Sequence, residues 1–198
     1  VYFGGGTPSR LTLDELEEWV TWLSGVIQIN SEAQRSIEVN PEDLSFSYAT
    51  GLVQLGFNRV SIGVQSFQEV ALATLRRHHT PDMARRAIAD VQEAGFSDIN
   101  LDLMFGYPVQ KSESLKEDLE ELVSWSPSHI SVYCLNIEEK TPLYKQPEWQ
   151  GWQDVNEEHI TRMYEMIVGF LADHGYRQYE ISNFAREGKQ SRQNRLNW

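Results

Sequence analysis

The chain has 198 residues, 40% of them hydrophobic and 11% aromatic, which is enough for a folded unit with one substantial core. Against 17 Lys and Arg it carries 29 Asp and Glu, a formal charge of −12. That balance disfavours nucleic-acid binding, whose affinity comes mainly from basic side chains neutralising phosphates. No apolar run reaches the ~18–20 residues needed to cross a bilayer, and no charged-then-apolar signal sequence is present, so no transmembrane segment is expected. The single cysteine, Cys134, cannot form an internal disulfide or a site built on several cysteines of this chain.

The first stretch, Val1-Tyr2-Phe3 followed by Gly4-Gly5-Gly6-Thr7-Pro8-Ser9, predicts a strand that stops at a loop whose backbone can approach a ligand closely. A strand that opens the chain without any lead-in reads as a fragment of a longer protein. Thr12 then caps a helix, with Glu15 three residues on and Leu13, Leu16, Val20, Leu23 and Ile27 at helical spacing. Ser36-Ile37-Glu38-Val39 is a second strand, stopped by Asn40-Pro41, and Glu42 to Leu55 a second helix ending at Gly56.

The third strand is Arg59 to Ser66, and a longer helical region follows through Leu72, Leu75, Met83, Ala87, Ile88 and Val91 to Gly95. The fourth strand is Ile99 to Phe105, followed by a helix from about Ser112 to Trp125, and the fifth strand is His129 to Leu135. Beyond Asn136 comes a polar connector bearing Pro142, Pro147, Trp149 and Trp152, then a helix from Asn156 to Gly175 and a last stretch containing Tyr179-Glu180-Ile181-Ser182-Asn183-Phe184-Ala185. The expected organisation is a barrel-like unit over residues 1–137 and a connector with the start of a mainly helical C-terminal extension over residues 138–198.

Regular β-then-α alternation calls for a parallel sheet, either open and doubly wound or closed into a (β/α) barrel. Thr7, Glu38, Gln65, Asp102 and Asn136 place a polar side chain on or just after each strand, as a site at the C-terminal face of a barrel does. They favour a barrel, or an incomplete one. Exposed backbone groups of the glycine loop can hold the amino and carboxylate ends of an amino-acid-like ligand, and Glu38 suits ribose hydroxyls. Arg77 could close over the same cavity, although Arg76-Arg77-His78-His79 reads on its own as a solvated helix end. Cys134 reads as a small buried hydrophobe, and Trp149 and Trp152 as packing for the connector. No P-loop, G-x-G-x-x-G, Ser-His-Asp or H-E-x-x-H pattern is present, so no catalytic residue and no metal ligand is assigned.

Taken together, Gly4-Gly5-Gly6-Thr7-Pro8-Ser9, Ile37-Glu38-Val39-Asn40-Pro41, Ser61-Ile62-Gly63-Val64-Gln65-Ser66-Phe67, Asn100-Leu101-Asp102-Leu103 with Gly106 and Pro108, and Tyr179 to Ala185 resemble the oxygen-independent coproporphyrinogen III oxidase family of radical S-adenosylmethionine (SAM) proteins. The resemblance implies a partial (β/α)6 barrel holding strands two to six, with SAM bound across the strand ends. It assigns Gly5, Gly6 and Thr7 to the methionine end, Glu38 to the ribose, Gln65, Arg77 and Asp102 to further parts of SAM, and Asn136 to a contact after the last barrel strand. It also implies a [4Fe–4S] cluster in the full-length protein, on a C-x-x-x-C-x-x-C loop expected before residue 1. This chain alone is therefore expected neither to hold the cluster nor to generate a radical.

The tail resembles the HemW branch of the family, regarded as haem chaperones, with Gln193 where that branch usually has the histidine linked to haem binding. The implied function is a haem chaperone that delivers haem to acceptor proteins. The alternative is radical oxidative decarboxylation of coproporphyrinogen III to protoporphyrinogen IX. The implied location is the cytoplasm, or the mitochondrion for a eukaryotic source.

Overall fold

The computed structural model describes residues 1–136, 145, 149–152 and 156–196. Five parallel strands, β1 (Tyr2–Phe3), β2 (Ser36–Val39), β3 (Arg59–Gln65), β4 (Ile99–Phe105) and β5 (His129–Cys134), alternate with helices α1 (Leu13–Val26), α2 (Phe46–Gln54), α3 (Glu69–Thr74), α4 (Pro81–Glu93) and α5 (Ser112–Ser124). The long helix α6 (Glu157–Asp173) follows, then short strands β6 (Arg177–Gln178) and β7 (Asn183–Ala185) and a terminal helix α7 (Arg192–Leu196).

The strands lie in the order β1-β2-β3-β4-β5-β7-β6, the first five parallel and the last two antiparallel. Consecutive parallel strands that sit side by side are wound in one direction. Right-handed crossovers then put every connecting helix on the same face, which is barrel winding; a doubly wound sheet reverses direction and covers both faces. The sequence expectation of an incomplete barrel therefore holds. The antiparallel pair β6–β7, which the sequence reading did not include, extends the sheet from the edge of β5.

Local chemistry sets the element boundaries. Thr12 and Glu15 form a reciprocal capping box at the start of α1, as their spacing predicts. The second helix starts at Phe46 rather than Glu42, because Pro41–Asp43 is spent in a 3-10 turn and Ser45 supplies the cap, accepting from the Tyr48 amide at 3.3 Å. The single long helical region expected after β3 is two helices. Arg76 adopts a left-handed backbone (φ 54°), and Pro81, lacking an N–H, opens α4 behind its Thr80 cap.

Along each central strand alternate residues are apolar. Val60, Ile62 and Val64 of β3, Leu101, Leu103 and Phe105 of β4, and Ile130 and Val132 of β5 belong to one buried cluster with Leu16, Leu52, Ile88 and Leu119 from the helices. Met163, Ile167 and Leu171 of α6 and Phe184 of β7 join that cluster, so the core is continuous from the barrel strands into the extension. Ser61 and Gln65 of β3, Asn100 and Asp102 of β4, and His129 and Ser131 of β5 take intervening positions on the same strands.

Most of the connector lies outside the described residues. Trp149 is buried against Ala71, Leu75 and Tyr107, the packing role expected of it. No helix among the described residues is long and apolar enough to cross a membrane.

Candidate functional site

At the C-terminal ends of β1, β2 and β3 a cavity of about 120 Å³ is lined by Gly6, Thr7, Pro8, Glu38, Val39, Asn40, Ser61, Gly63, Gln65, Arg77 and Asp102. Six of the residues singled out in the sequence are brought together in this way: Gly6, Thr7, Glu38, Gln65, Arg77 and Asp102. Gly5 stands next to the wall, its amide donating to Glu38 Oε2 at 3.3 Å. Asn136 is exposed just past β5 and is not among the lining residues.

Backbone shape lets these groups converge. Gly5 has φ +108°, a conformation that costs glycine nothing, and a methyl group added at either Gly5 or Gly6 would meet nothing within 4 Å, so the loop is open to a ligand. Gln65 closes β3 with φ 66°, rare for a residue with a side chain, and the turn brings that side chain to the cavity. Gly63 leaves room on the wall: a Cβ there would come within 3.0 Å of Gln65 Nε2 and 3.4 Å of Arg77 Nη2. Arg77 Nη2 donates to Asn40 Oδ1 at 2.7 Å, whereas Arg77 Nε and Gln65 Oε1 are buried without a hydrogen-bond partner. Buried polar atoms are ordinarily paired, so two orphans on one cavity wall suit a polar ligand. Glu38 accepts from the Tyr2 hydroxyl through Oε1.

Below the rim the polar alternation continues as a hydrogen-bonded wall. Asn100 Nδ2 donates to Asp102 Oδ1 at 2.6 Å and to Ser61 Oγ at 2.6 Å, and Ser61 Oγ lies 3.3 Å from Asp102 Oδ2. Burial pushes the Asp102 carboxyl up to about 6, with the Glu38 charge adding to the rise, while hydrogen bonds from Asn100, Ser131 and Ser61 pull the other way. His129 is buried and held well below the usual imidazole range, first by desolvation and then by the Arg59 charge, so its ring is neutral. Asn100 Oδ1, 2.6 Å away, can only accept, which places the ring proton on Nδ1; Nε2 then accepts from the Tyr179 hydroxyl at 2.6 Å. Tyr179 in turn accepts from the Ser191 amide at 3.3 Å and from Asn194 Nδ2 at 3.1 Å. Asn100, His129 and Ser191 border a smaller cavity of about 40 Å³ that shares Glu38, Ser61 and Asp102 with the rim cavity and reaches Asn194 of α7. Burial, and then the nearby Asp102 charge, push the Tyr133 hydroxyl on its wall up to about 12.

Sequence reasoning took one polar residue per strand and missed Asn40, Ser61, Asn100, Ser131 and Asn183. The signal was there as strict alternation, since Ser61, Gly63 and Gln65 interleave with Ile62 and Val64, and Asn100 and Asp102 with Leu101. Two readings are corrected. His79 is 3% exposed rather than solvated, because it folds back under β3 and bonds to Val64 O. Cys134 is exposed rather than buried, because it is the last residue of β5, where the sheet ends. Among the other histidines, His129 is buried within the hydrogen-bonded wall, and His174 is exposed, its Nδ1 2.7 Å from Phe170 O.

The chain is 34% identical over its whole length to the haem chaperone HemW of Bacillus subtilis (strain 168), covering 52% of that protein. It is 31% identical, again over its whole length, to the mitochondrial radical S-adenosyl methionine domain-containing protein 1 of Bos taurus, covering 45% of it. It thus spans about half the length of the curated relatives it matches. Among solved structures, the coproporphyrinogen III oxidase HemN of Escherichia coli superposes with a TM-score of 0.83 at 27% identity, over 94% of this chain and 43% of that one. The radical SAM superfamily model matches residues 1–122, which take in β1 to β4 and the rim cavity; the chain belongs to the radical SAM superfamily.

Proposed function

We propose that this chain forms the SAM-binding part of a HemW-like haem chaperone, with SAM seated in the rim cavity. The observation that carries the SAM assignment is the pair of unpartnered buried atoms, Gln65 Oε1 and Arg77 Nε, on two side chains that line the cavity together with Glu38 and Thr7. SAM presents an ammonium, a carboxylate and two ribose hydroxyls. Gly5, Gly6 and Thr7 suit the methionine end through backbone and hydroxyl groups, and the Glu38 carboxylate suits the ribose as an acceptor. Gln65, Arg77 and Asp102 offer donors and acceptors to the rest, and Asn136 is assigned a contact at the rim by the resemblance alone. A [4Fe–4S] cluster needs several thiolates and this chain has one cysteine, so its residues do not fit such a cluster.

The chaperone reading is supported by 34% identity over the whole chain to a protein named as a haem chaperone. The oxidase reading, conversion of coproporphyrinogen III to protoporphyrinogen IX, is favoured by the close superposition on HemN. The proposed partners are haem and a haem-acceptor protein, and the proposed location is the cytoplasm, or the mitochondrion if the source is eukaryotic, as for the bovine relative.

Full-length protein with its cluster reconstituted decides between them. A haem Soret band on titration, with no protoporphyrinogen formed from coproporphyrinogen III, SAM and reductant, is the expected result; sustained product formation reverses the order. Glu38→Ala and Asp102→Ala should each weaken SAM binding in calorimetry, and unchanged affinity in both removes the site assignment.

A further inference from the structure

Five buried side-chain atoms among the described residues have no hydrogen-bond partner, and four of them belong to Gln65, Arg77, Glu42 and His79. Gln65 and Arg77 line the rim cavity; Glu42 and His79 are not among its lining residues. His79 Nε2 bonds to Val64 O at 2.9 Å, holding the residue just before the left-handed Gln65. Glu42 belongs to the 3-10 turn that follows Asn40, the acceptor of Arg77 Nη2. Its Oε2 lies 3.4 Å from His79 Nδ1, so the two supports meet.

We propose that His79 is a positioning residue for the rim cavity, with Glu42 as its conditional partner: His79 locks the Val64–Gln65 turn and the loop bearing Arg77 so that Gln65 and Arg77 keep their free polar atoms for the ligand. The inference rests on the reading of that cavity as the SAM site. A left-handed backbone at a residue with a side chain persists only when its surroundings enforce it. The imidazole N–H on Val64 O adds to that constraint, beside the Ser66 amide that donates to the same oxygen at 2.8 Å.

The pairing also has a charge dependence. With Nε2 as donor, a neutral ring turns its Nδ1 lone pair towards the Glu42 carboxylate, and two acceptors face each other. A proton on Nδ1 makes them a pair. The charged groups facing the ring are Glu42 from the 3-10 turn and Arg77 from its own loop; burial first and then Arg77 lower the pKa of His79, while Val64 O and Glu42 raise it. The ring is therefore neutral at pH 7.5 and closes on Glu42 only as the pH falls below the usual histidine range.

Titration of SAM into the full-length protein tests this through substitutions that separate the roles. His79→Ala should weaken SAM at least tenfold at pH 7.5. His79→Gln, which keeps an N–H for Val64 O, should return to within about threefold of wild type. Glu42→Gln can donate to Nδ1 at any pH, so its SAM affinity should lack the rise that wild type shows as the pH falls below the usual histidine range. Equal affinity in His79→Ala and wild type, no recovery in His79→Gln, or identical pH profiles for Glu42→Gln and wild type would overturn the proposal.

A ligand-free measurement keeps the two readings apart. The Gln65 backbone amide resonance should shift in His79→Ala and return in His79→Gln; an unmoved resonance sinks the positioning role whatever SAM does. Failure of wild type to bind SAM, with the resonance behaving as expected, sinks only the SAM site.

Discussion

Asn100 and Asp102 sit two residues apart on the same face of β4, and the Asn100 amide donates to the Asp102 carboxylate at 2.6 Å. The bond does not offset burial, which leaves the carboxyl at about 6 in the folded protein against an ordinary ~3.9 when unfolded. A carboxyl raised on folding takes up its proton in the native state first. Its stabilising contribution is complete below about pH 4 and is lost as pH rises through about 6, on the order of 3 kcal/mol in all. Asp102→Asn keeps an acceptor for Asn100 and removes the charge, so its melting temperature relative to wild type should be higher at pH 7.5 than at pH 5. Asp118, also raised to about 6 by burial, is common to both proteins and cancels in the comparison. An equal difference at the two pH values would contradict the assignment.

Gly6 separates a folding role from a ligand role. Its backbone has no positive φ, and a Cβ there meets nothing within 4 Å, so Gly6→Ala should melt within about 1 °C of wild type, or slightly above it as unfolded-chain entropy falls. The added methyl would stand where the proposed site seats the methionine end of SAM, and SAM affinity should drop tenfold or more in calorimetry. Retained affinity would move the methionine end elsewhere.

Gly51 of α2 sets two effects against each other. Alanine gains about 1 kcal/mol of helix propensity, but its Cβ would fall 2.3 Å from Leu13 Cδ1 and 2.7 Å from Cδ2, so the whole isobutyl group must leave its place between α1 and α2. Overpacking of this kind costs about 1–3 kcal/mol. The expected net result for Gly51→Ala is a loss of stability in urea denaturation, and a gain would show that Leu13 repacks freely.

Tyr179 ties α7 to the sheet. Tyr179→Phe strips the hydroxyl donor from His129 Nε2, on a ring 1% exposed, and the acceptor from both the Ser191 amide and Asn194 Nδ2. An unsatisfied buried group costs about 1–3 kcal/mol. Thermal denaturation should report that loss, and hydrogen exchange should report faster exchange over residues 191–196. Unchanged exchange there would mean that α7 is held by its other bonds, such as Arg192 to Gln34 and Glu32.

Where local rules dominate, the sequence was legible. The capping box at Thr12 and Glu15, the strand of β4 from Ile99 to Phe105 and the start of α5 at Ser112 follow from side chains within a few residues of one another. Gly6, Thr7, Glu38, Gln65, Arg77 and Asp102 were found because each is polar at the end of an apolar strand or carries a family motif, and the structure places all six on one wall. The split between α3 and α4 was missed although Thr80-Pro81 marks it, because the apolar spacing runs on through the break.

The amino-acid order by itself determined the βα rhythm, the polar residue at each strand end and the single thiol, since each is a property of neighbouring residues or of composition. Only the tertiary structure decided which polar residues share a wall, that β6 and β7 extend the sheet from β5, and that His79 lies buried against Glu42 and Val64 while Cys134 stands exposed. Those outcomes depend on contacts between segments far apart in the chain, such as Ser131 with Asn183 at 2.9 Å, and on the register of parallel strands, which no local pattern specifies.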